Sequence, residues 1–277
     1  MQCGNSAQRI QAAARVGAGV LLVLAGLAPP ASATTLVVLV GRRAIVIGAD
    51  SMRTLAGGGT QTVCKVHEAG DVVFAFAGAV NSERFDATTI AARELAGRRT
   101  DLGEKARRIA DALQAGLVEH FKARRIDGTR HELIDGQRGR PVTGFIAALI
   151  DGKPQGFLVQ VLAAPSADGV TLTTKVEPLD TLGPDRAIFL SSQHQEVIDR
   201  ANRVMADRER ASVSELVAAA GELVNLDLAL EGVRAIAERK SGPPVTIAVL
   251  ERDGFRFADP GVCPPAGSPP RRTPAAR

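Results

Sequence analysis

The sequence predicts a protein of the α+β class, with two stacked antiparallel sheets and helices outside them. Apolar, β-branched segments come in runs, and helical segments come in pairs between those runs. The order is four or five strands, two helices, three strands, two helices and a closing hairpin. Runs of strands that alternate with paired helices indicate two stacked antiparallel sheets with helices outside.

The first element is a predicted signal peptide over residues 1–33. It has a basic, acid-free start, an apolar run over residues 16–27 and the small residues Ala31 and Ala33. The apolar run is too short to span a bilayer comfortably, and the small-x-small pattern is typical of a cleavage site. We therefore expect cleavage before Thr34, a periplasmic or secreted protein, and no membrane attachment afterwards.

Cleavage at that point gives Thr34 a chemical role that an internal threonine cannot have. An N-terminal threonine carries a hydroxyl nucleophile and a free α-amine, a candidate base, on one residue. Predicted strands over residues 35–40 and 44–49 form a hairpin, which returns Asp50 to the side of Thr34. The alternative interpretation of Asp50 is a turn residue that ends a strand.

The rest of the chain supplies the remaining layers. Helix starts are indicated by Asn81-Ser82-Glu83 and by the capping box at residues 212–215, and Asp-Gly pairs indicate hairpin turns. The predicted segments are 61–66, the strand 72–79, helices 81–98 and 102–125, a loop 127–141, strands 144–150, 156–163 and 170–176, a segment 186–192, helices 192–207 and 212–239, and strands 245–251 and 255–258. Residues 34–259 form one domain, and the Pro-, Ala- and Arg-rich residues 260–277 are expected to be disordered.

Composition excludes several functions. The sequence has no Trp and no Tyr, which counts against stacking on single-stranded nucleic acid. Its formal net charge of +4 comes from the two ends, so the body is nearly neutral and offers no nucleic-acid footprint. The four histidines are scattered without ligand spacing, and we expect neither a metal nor a cofactor.

Two cysteines remain after the predicted cleavage. Cys64 and Cys263 are an even number in an exported chain, so one disulfide is allowed. The alternative is that Cys64 is a small buried strand residue and Cys263 lies unpaired in the tail. The sequence leaves both open.

Several short motifs follow Thr34: a Thr34-Thr35 strand start, Asp50, the segment from Thr62 to Lys65, and the Ala-Gly pair that ends in Gly78. With these residues the sequence resembles the proteasome β-subunit family of N-terminal-nucleophile hydrolases, including its HslV-like members. The resemblance implies a four-layer αββα sandwich. It also implies assembly into a homo-oligomeric ring.

These motifs would supply the parts of an amide hydrolase. The Thr34 hydroxyl attacks a carbonyl, and its α-amine takes the proton. Lys65 would lower the pKa of that amine, and Asp50 would hold Lys65 in place. The backbone N–H of Gly78 is the candidate oxyanion donor. Taken singly, Lys65 could instead be a solvated charge at a strand edge and Gly78 a turn residue.

Three further site residues follow from the resemblance alone. Ser192, or its neighbour Ser191, takes the position of a serine at the start of the third helix, without the flanking glycines of the family. Glu238 and Ser241 take the positions of an Asp-x-x-Ser-Gly motif, with Glu in place of Asp. The alternative interpretation of this segment is a helix C-terminus closed by Gly242.

The sequence thus predicts an exported threonine-type hydrolase that cleaves amide bonds in peptides. One alternative is an amidase that acts on a small amide. Another, from a different class, is a catalytically inactive exported scaffold or binding protein that keeps the fold.

Overall fold

The structure is a computed structural model that describes residues 34–54, 59–78, 85–96, 101–124, 139–166, 169–179, 188–189, 194–206, 211–231 and 242–264. The predicted signal peptide therefore lies outside the described residues. The helices are α1 (Ala87–Leu95), α2 (Leu102–Arg124), α3 (Gln195–Ala206) and α4 (Val213–Glu231). The strands are β1 (Leu36–Val40), β2 (Ala44–Asp50), β3 (Met52–Thr54), β4 (Thr60–Thr62), β5 (His67–Ala69), β6 (Val72–Gly78), β7 (Val142–Ile150), β8 (Lys153–Ser166), β9 (Gly169–Pro178), β10 (Ile188–Phe189), β11 (Val245–Glu251) and β12 (Gly254–Asp259).

The described strands form three antiparallel sheets. Two have five strands, in the orders β10-β1-β2-β11-β12 and β5-β6-β7-β8-β9, and the third is the short pair β3-β4. The predicted mixture of sheets and four helices is confirmed. The β3-β4 pair was not predicted, because its exposed Thr-Gln-Thr strand lacks an apolar face.

The sheet that contains β1 is apolar on both faces. Successive side chains of a strand point to opposite faces, so Leu36 and Val38 join one cluster while Val37 and Leu39 join another. The first cluster includes buried residues of the other five-stranded sheet, and the second includes residues of α3 and α4. A strand buried on both faces explains why β1 is a continuous apolar run.

The second five-stranded sheet packs against α1 and α2. Ile109, Leu113 and Leu117 recur at helical spacing along α2 and are fully buried with Phe74 and Ile146 of the sheet. These helix residues form the buried face of α2. The structure describes α2 as far as Arg124, and its predicted end at residue 125 lies outside the described residues.

The helix starts confirm one prediction and correct another. At α4 the Ser212 backbone N–H donates to Glu215 Oε2 at 2.7 Å, and the Glu215 N–H donates to Ser212 Oγ at 3.3 Å, which is the predicted capping box. At α1 the cap is Asp86, whose carboxylate accepts from the Thr89 N–H at 3.0 Å. The helix predicted from residue 81 therefore begins later, at Ala87, because Phe85 and Asp86 are not helical. The residues 81–83 themselves and the α4 end expected near residue 239 lie outside the described residues.

Two predicted segments differ in the structure. The segment distinguished over residues 61–66 is a strand only as far as Thr62, in β4, and residues 63–66 are irregular before β5 begins at His67. Part of the tail expected to be disordered, residues 260–264, is described, and Cys263 is buried in it. Its bond to Cys64 is the physical reason, and composition alone could not reveal it.

Candidate functional site

The β1–β2 hairpin places Asp50 next to Thr35. The strands pair with Leu36 opposite Ala49, and the Asp50 N–H donates to the Thr35 carbonyl oxygen at 3.0 Å. The sequence predicted that the second strand returns Asp50 to the side of Thr34. The register confirms this return, since Asp50 lies opposite Thr35, the residue after Thr34. Thr34 itself is 5% exposed.

The Asp50 carboxylate is fully buried and accepts four hydrogen bonds. Oδ1 accepts from the Thr35 N–H at 2.8 Å and from Lys65 Nζ at 2.6 Å. Oδ2 accepts from the N–H groups of Met52 and Gly242, both at 3.0 Å. Three of these donors lie 15, 15 and 192 positions from Asp50 in sequence, and the fourth, Met52, lies two positions away. We call Asp50 and its four donor residues the Asp50 cluster.

Lys65 reaches this carboxylate from the irregular segment between β4 and β5. Its side chain is only 7% exposed, and the segment is anchored by the Val63 N–H, which donates to the Ser51 carbonyl at 2.7 Å. The alternative that Lys65 is a solvated strand-edge charge is therefore wrong. The predicted Asp50–Lys65 pair forms inside the protein.

The electrostatics of the pair are dominated by burial. Burial raises the pKa of Asp50 above its ordinary value, against the Lys65 ammonium and the surrounding N–H donors, which lower it. Burial also lowers the pKa of Lys65, against the attraction of Asp50, which raises it, while Arg53 adds a small lowering effect. Each charge therefore depends on the other to stay ionised in the interior.

A second buried carboxylate contacts the same strand start. The Thr35 hydroxyl donates to Asp227 Oδ2 of α4, and Asp227 is 3% exposed. Thr35 is thus held by Asp50 at its backbone and by Asp227 at its side chain. Sequence reasoning missed Asp227, because nothing in the local sequence separates it from the other acidic residues of α4 or indicates the strand that it will meet.

Gly242 belongs to the Asp50 cluster through its backbone. Its N–H donates to Asp50, and its carbonyl accepts from the Ser51 N–H at 3.2 Å. A Cβ on Gly242 would lie 2.9 Å from Met52 Sδ, so the close approach favours glycine. The sequence singled out Gly242 as a helix-ending residue and gave no indication of this contact.

Gly78 ends β6 in the other five-stranded sheet, opposite Val142. Its φ is +99°, and a Cβ there would lie 2.3 Å from the Pro141 carbonyl oxygen. Backbone conformation and packing thus explain the glycine without a catalytic role. Its part as an oxyanion donor stays a prediction.

The predicted residues Ser191, Ser192, Glu238 and Ser241 lie outside the described residues, so their roles stay predictions. Within the described part of the chain, no group of three or more His, Cys, Asp or Glu side chains is arranged to hold a metal ion. None of the helices described here is long and apolar enough to cross a membrane.

Cys64 and Cys263 form a disulfide beside the Asp50 cluster, next to Lys65. Their Cα atoms are 4.7 Å apart, and 199 positions separate them in sequence. The alternative of two unpaired cysteines is therefore wrong.

Comparison with known proteins overturns the family resemblance. No family model matches the chain, and no curated protein matches it. The resemblance rested on short pieces between Thr34 and Gly78, and the structure gives Asp50, Lys65 and Gly78 reasons of packing and charge pairing that need no common family. Membership of the proteasome β-subunit family is thus a wrong prediction.

One solved structure to which the chain shows a remote likeness is the Anbu (Gly-1) mutant from Hyphomicrobium sp. strain MC1. The TM-score is 0.48 at 16% sequence identity, over 81% of this chain and 85% of that chain. A likeness this remote carries no argument about what the present chain does.

Proposed function

We propose that this chain is an exported threonine-type hydrolase that cleaves peptide amide bonds, with Thr34 as an N-terminal nucleophile after removal of residues 1–33. One observation carries the proposal. Asp50 Oδ1 accepts from the Thr35 N–H at 2.8 Å and from Lys65 Nζ at 2.6 Å. That oxygen brings a buried ammonium group to the peptide bond between Thr34 and Thr35.

The reaction uses groups that a chain starting at Thr34 would carry. Thr34 Oγ adds to the carbonyl carbon of the substrate, and the α-amine takes its proton, directly or through a water. The C–N bond then breaks, the departing amine receives the proton, and an ester remains on Thr34. Water hydrolyses the ester and restores the hydroxyl. The Gly78 N–H would stabilise the oxyanion.

Lys65 makes the α-amine a better base in this scheme. A free α-amine has a pKa of roughly 7.7–8.0, and a neighbouring ammonium disfavours its charged form. More of the amine is then unprotonated at neutral pH. Asp50 keeps Lys65 in place, because an unpaired ammonium in the interior would be costly.

The three apolar clusters support a four-layer αββα sandwich as the framework of the site. One cluster combines α1 and α2 with one five-stranded sheet, and another combines α3 and α4 with the other sheet. The cluster that contains Leu36 and Phe145 draws on both sheets. We propose that these clusters are the three interfaces of that sandwich. A homo-oligomeric ring remains a separate prediction, which native mass measurement tests.

A catalytically inactive scaffold or binding protein is the second candidate. All four hydrogen bonds to Asp50 come from structural partners, three of them backbone N–H groups. The cluster therefore has a purely structural reason to exist. In that case Thr34 need not become the first residue, and the Asp50–Lys65 pair would serve stability alone.

Two measurements separate the candidates. The first is the N-terminal sequence and intact mass of the protein after export with its own leader; the hydrolase requires Thr34 as the first residue. The second is hydrolysis of fluorogenic peptide amides and of small amides by this mature chain. Loss of turnover in Thr34→Ala and partial retention in Thr34→Ser are expected, because serine keeps the hydroxyl.

A chain that retains Ala33 is the matched control, since its Thr34 amine is locked in a peptide bond and cannot act as a base. Turnover equal to that of the mature chain would refute the mechanism. A mature chain that starts elsewhere, or a Thr34→Ala variant with full activity, would also refute it. Hydrolysis of small amides alone would assign the amidase function instead.

A further inference from the structure

The Cys64–Cys263 disulfide lies one residue from the buried lysine. Cys64 directly precedes Lys65, so the bridge fixes the backbone next to the residue whose Nζ lies 2.6 Å from Asp50 Oδ1. Nothing in the proposed mechanism uses the cysteines. Their position nevertheless couples the state of the bridge to the position of Lys65.

The segment that carries Lys65 has little regular structure to hold it. Residues 63–66 belong to no strand, β4 before them is exposed and three residues long, and β5 after them is also three residues long. The Val63 N–H donates to Ser51, and Lys65 itself bonds Asp50. The disulfide is the covalent tie of this segment to the rest of the fold.

The other end of the bridge is attached to the strand next to Asp50. Cys263 is 7% exposed, and its N–H donates to the Pro260 carbonyl at 2.7 Å. The same carbonyl accepts from Thr246 Oγ1 at 3.2 Å, and Thr246 in β11 pairs with Ala49 of β2. Ala49 directly precedes Asp50. The contacts that start at Lys65 and pass through the disulfide, Cys263 and β11 therefore lead back to Asp50, the carboxylate partner of Lys65.

We propose that the Cys64–Cys263 bridge is a positioning device that holds the Lys65 ammonium on Asp50, so that the activity proposed for Thr34 requires the oxidised bridge. The inference rests on the proposed function for its effect on activity. Reduction by a dithiol would transfer two electrons and two protons to the bridge, giving two protein thiols and an oxidised, cyclic dithiol. Residues 63–66 would then lose their covalent tie, and Lys65 would leave Asp50 more often.

The first test compares the oxidised mature chain with the Cys64→Ser/Cys263→Ser double variant and with dithiol-treated, still folded wild type. A misplaced catalytic group can cost about 100-fold in rate, so kcat is expected to fall by about that factor with little change in KM. The acid limb of the kcat–pH profile is the rise of kcat as the Thr34 α-amine loses its proton. Its apparent pKa should increase toward the ordinary pKa of an α-amine, roughly 7.7–8.0. Among the described residues, the charges that act on Lys65 are those of Asp50 and Arg53, and these variants change neither.

A merely stabilising disulfide would lower stability without moving the pH profile. Leu113→Ala is the matched control, because Leu113 is fully buried in α2 and its truncation destabilises the fold in another cluster. It should leave the acid limb where it is. Reoxidation of the dithiol-treated wild type should restore both kcat and the limb. An unchanged pH profile in the folded, bridge-free protein would overturn the inference.

A second test does not depend on catalysis. Acetic anhydride acylates accessible lysine amines, and mass spectrometry locates each product. Lys65 should be protected in the oxidised protein and modified at least tenfold faster without the bridge, while the exposed Lys175 reacts alike in both. Equal protection of Lys65 overturns the positioning role. If Lys65 becomes reactive but the oxidised mature chain has no turnover, the proposed function fails and the positioning role stands.

Discussion

Replacing Asp50 by Asn would test whether the buried pair controls stability as the structure indicates. Asparagine has nearly the same shape and keeps an oxygen for the N–H groups of Thr35 or Gly242, but it carries no charge. The Lys65 side chain, 7% exposed, would be left as an ammonium without its carboxylate. Removing one partner of a buried pair costs about 3–5 kcal/mol.

The pH dependence makes this prediction specific. In the variant, Lys65 can escape the cost by losing its proton. Deprotonating a lysine whose ordinary pKa is 10.5 costs about 5 kcal/mol at pH 7 and about 2 kcal/mol at pH 9, at about 1.36 kcal/mol per pH unit. A lysine whose pKa is depressed on folding contributes stability that is present at high pH and lost as pH falls below 10.5. The unpaired ammonium costs about 3–5 kcal/mol at pH 7, and deprotonation limits the cost to about 2 kcal/mol at pH 9. The destabilisation of Asp50→Asn relative to wild type should therefore shrink by about 1–3 kcal/mol between pH 7 and pH 9.

Urea unfolding followed by far-ultraviolet circular dichroism is the suitable assay, since the chain has no Trp or Tyr to report by fluorescence. The double variant Asp50→Asn/Lys65→Met is the control. It removes both charges at similar volume, so it should recover most of the lost stability. Equal destabilisation at both pH values, or a double variant no more stable than the single one, would refute the reasoning.

Two other predictions concern single residues. Burial lowers the pKa of His67 from 6.5 to about 4, so the unfolded chain takes up a proton before the native one does and stability falls as pH drops from 6.5 toward 4. His67→Phe keeps a ring against Phe74. Between pH 7 and pH 4 its free energy of unfolding, measured with urea, should fall by up to about 3 kcal/mol less than that of the wild type. An identical fall in both proteins would contradict the lowered pKa of His67. Gly78→Ala should cost about 3 kcal/mol or more in thermal unfolding, since φ is +99° and the Cβ would meet Pro141. Gly70→Ala, with φ +66° and open space, should cost about 1 kcal/mol, and equal costs would show that the contact does not matter.

The parts of the site that local patterns determine could be predicted from the sequence. A β-branched run, a short turn and a second apolar run define the β1–β2 hairpin, and the register of a hairpin brings Asp50 to Thr35 without any distant information. The capping box at Ser212 and the helical spacing of Leu113 and Leu117 are local in the same sense.

The remaining contacts depend on how distant elements meet. Gly242 donates to Asp50 across 192 positions, and Cys263 meets Cys64 across 199. Neither pairing leaves a mark in the sequence near Asp50. The family resemblance was wrong for a related reason, because residue types at similar spacing also arise when a strand end needs a buried partner for its charge. Long-range pairing needs the sheet order, and single-sequence patterns do not supply it.

The pairing of β2 with β11 has a consequence for the growing chain. β2 lies between β1, its immediate predecessor, and β11, which is made near the end of the chain. Contacts so far apart in sequence form slowly, and during synthesis β2 can have only β1 as a partner. A chain that stops short of β11 would present the fully buried residues of β2 along an open strand edge, which is a template for pairing with other chains. Incomplete copies of this protein should therefore aggregate, and the Asp50 carboxylate acquires its last donor only when nearly the whole chain has been made.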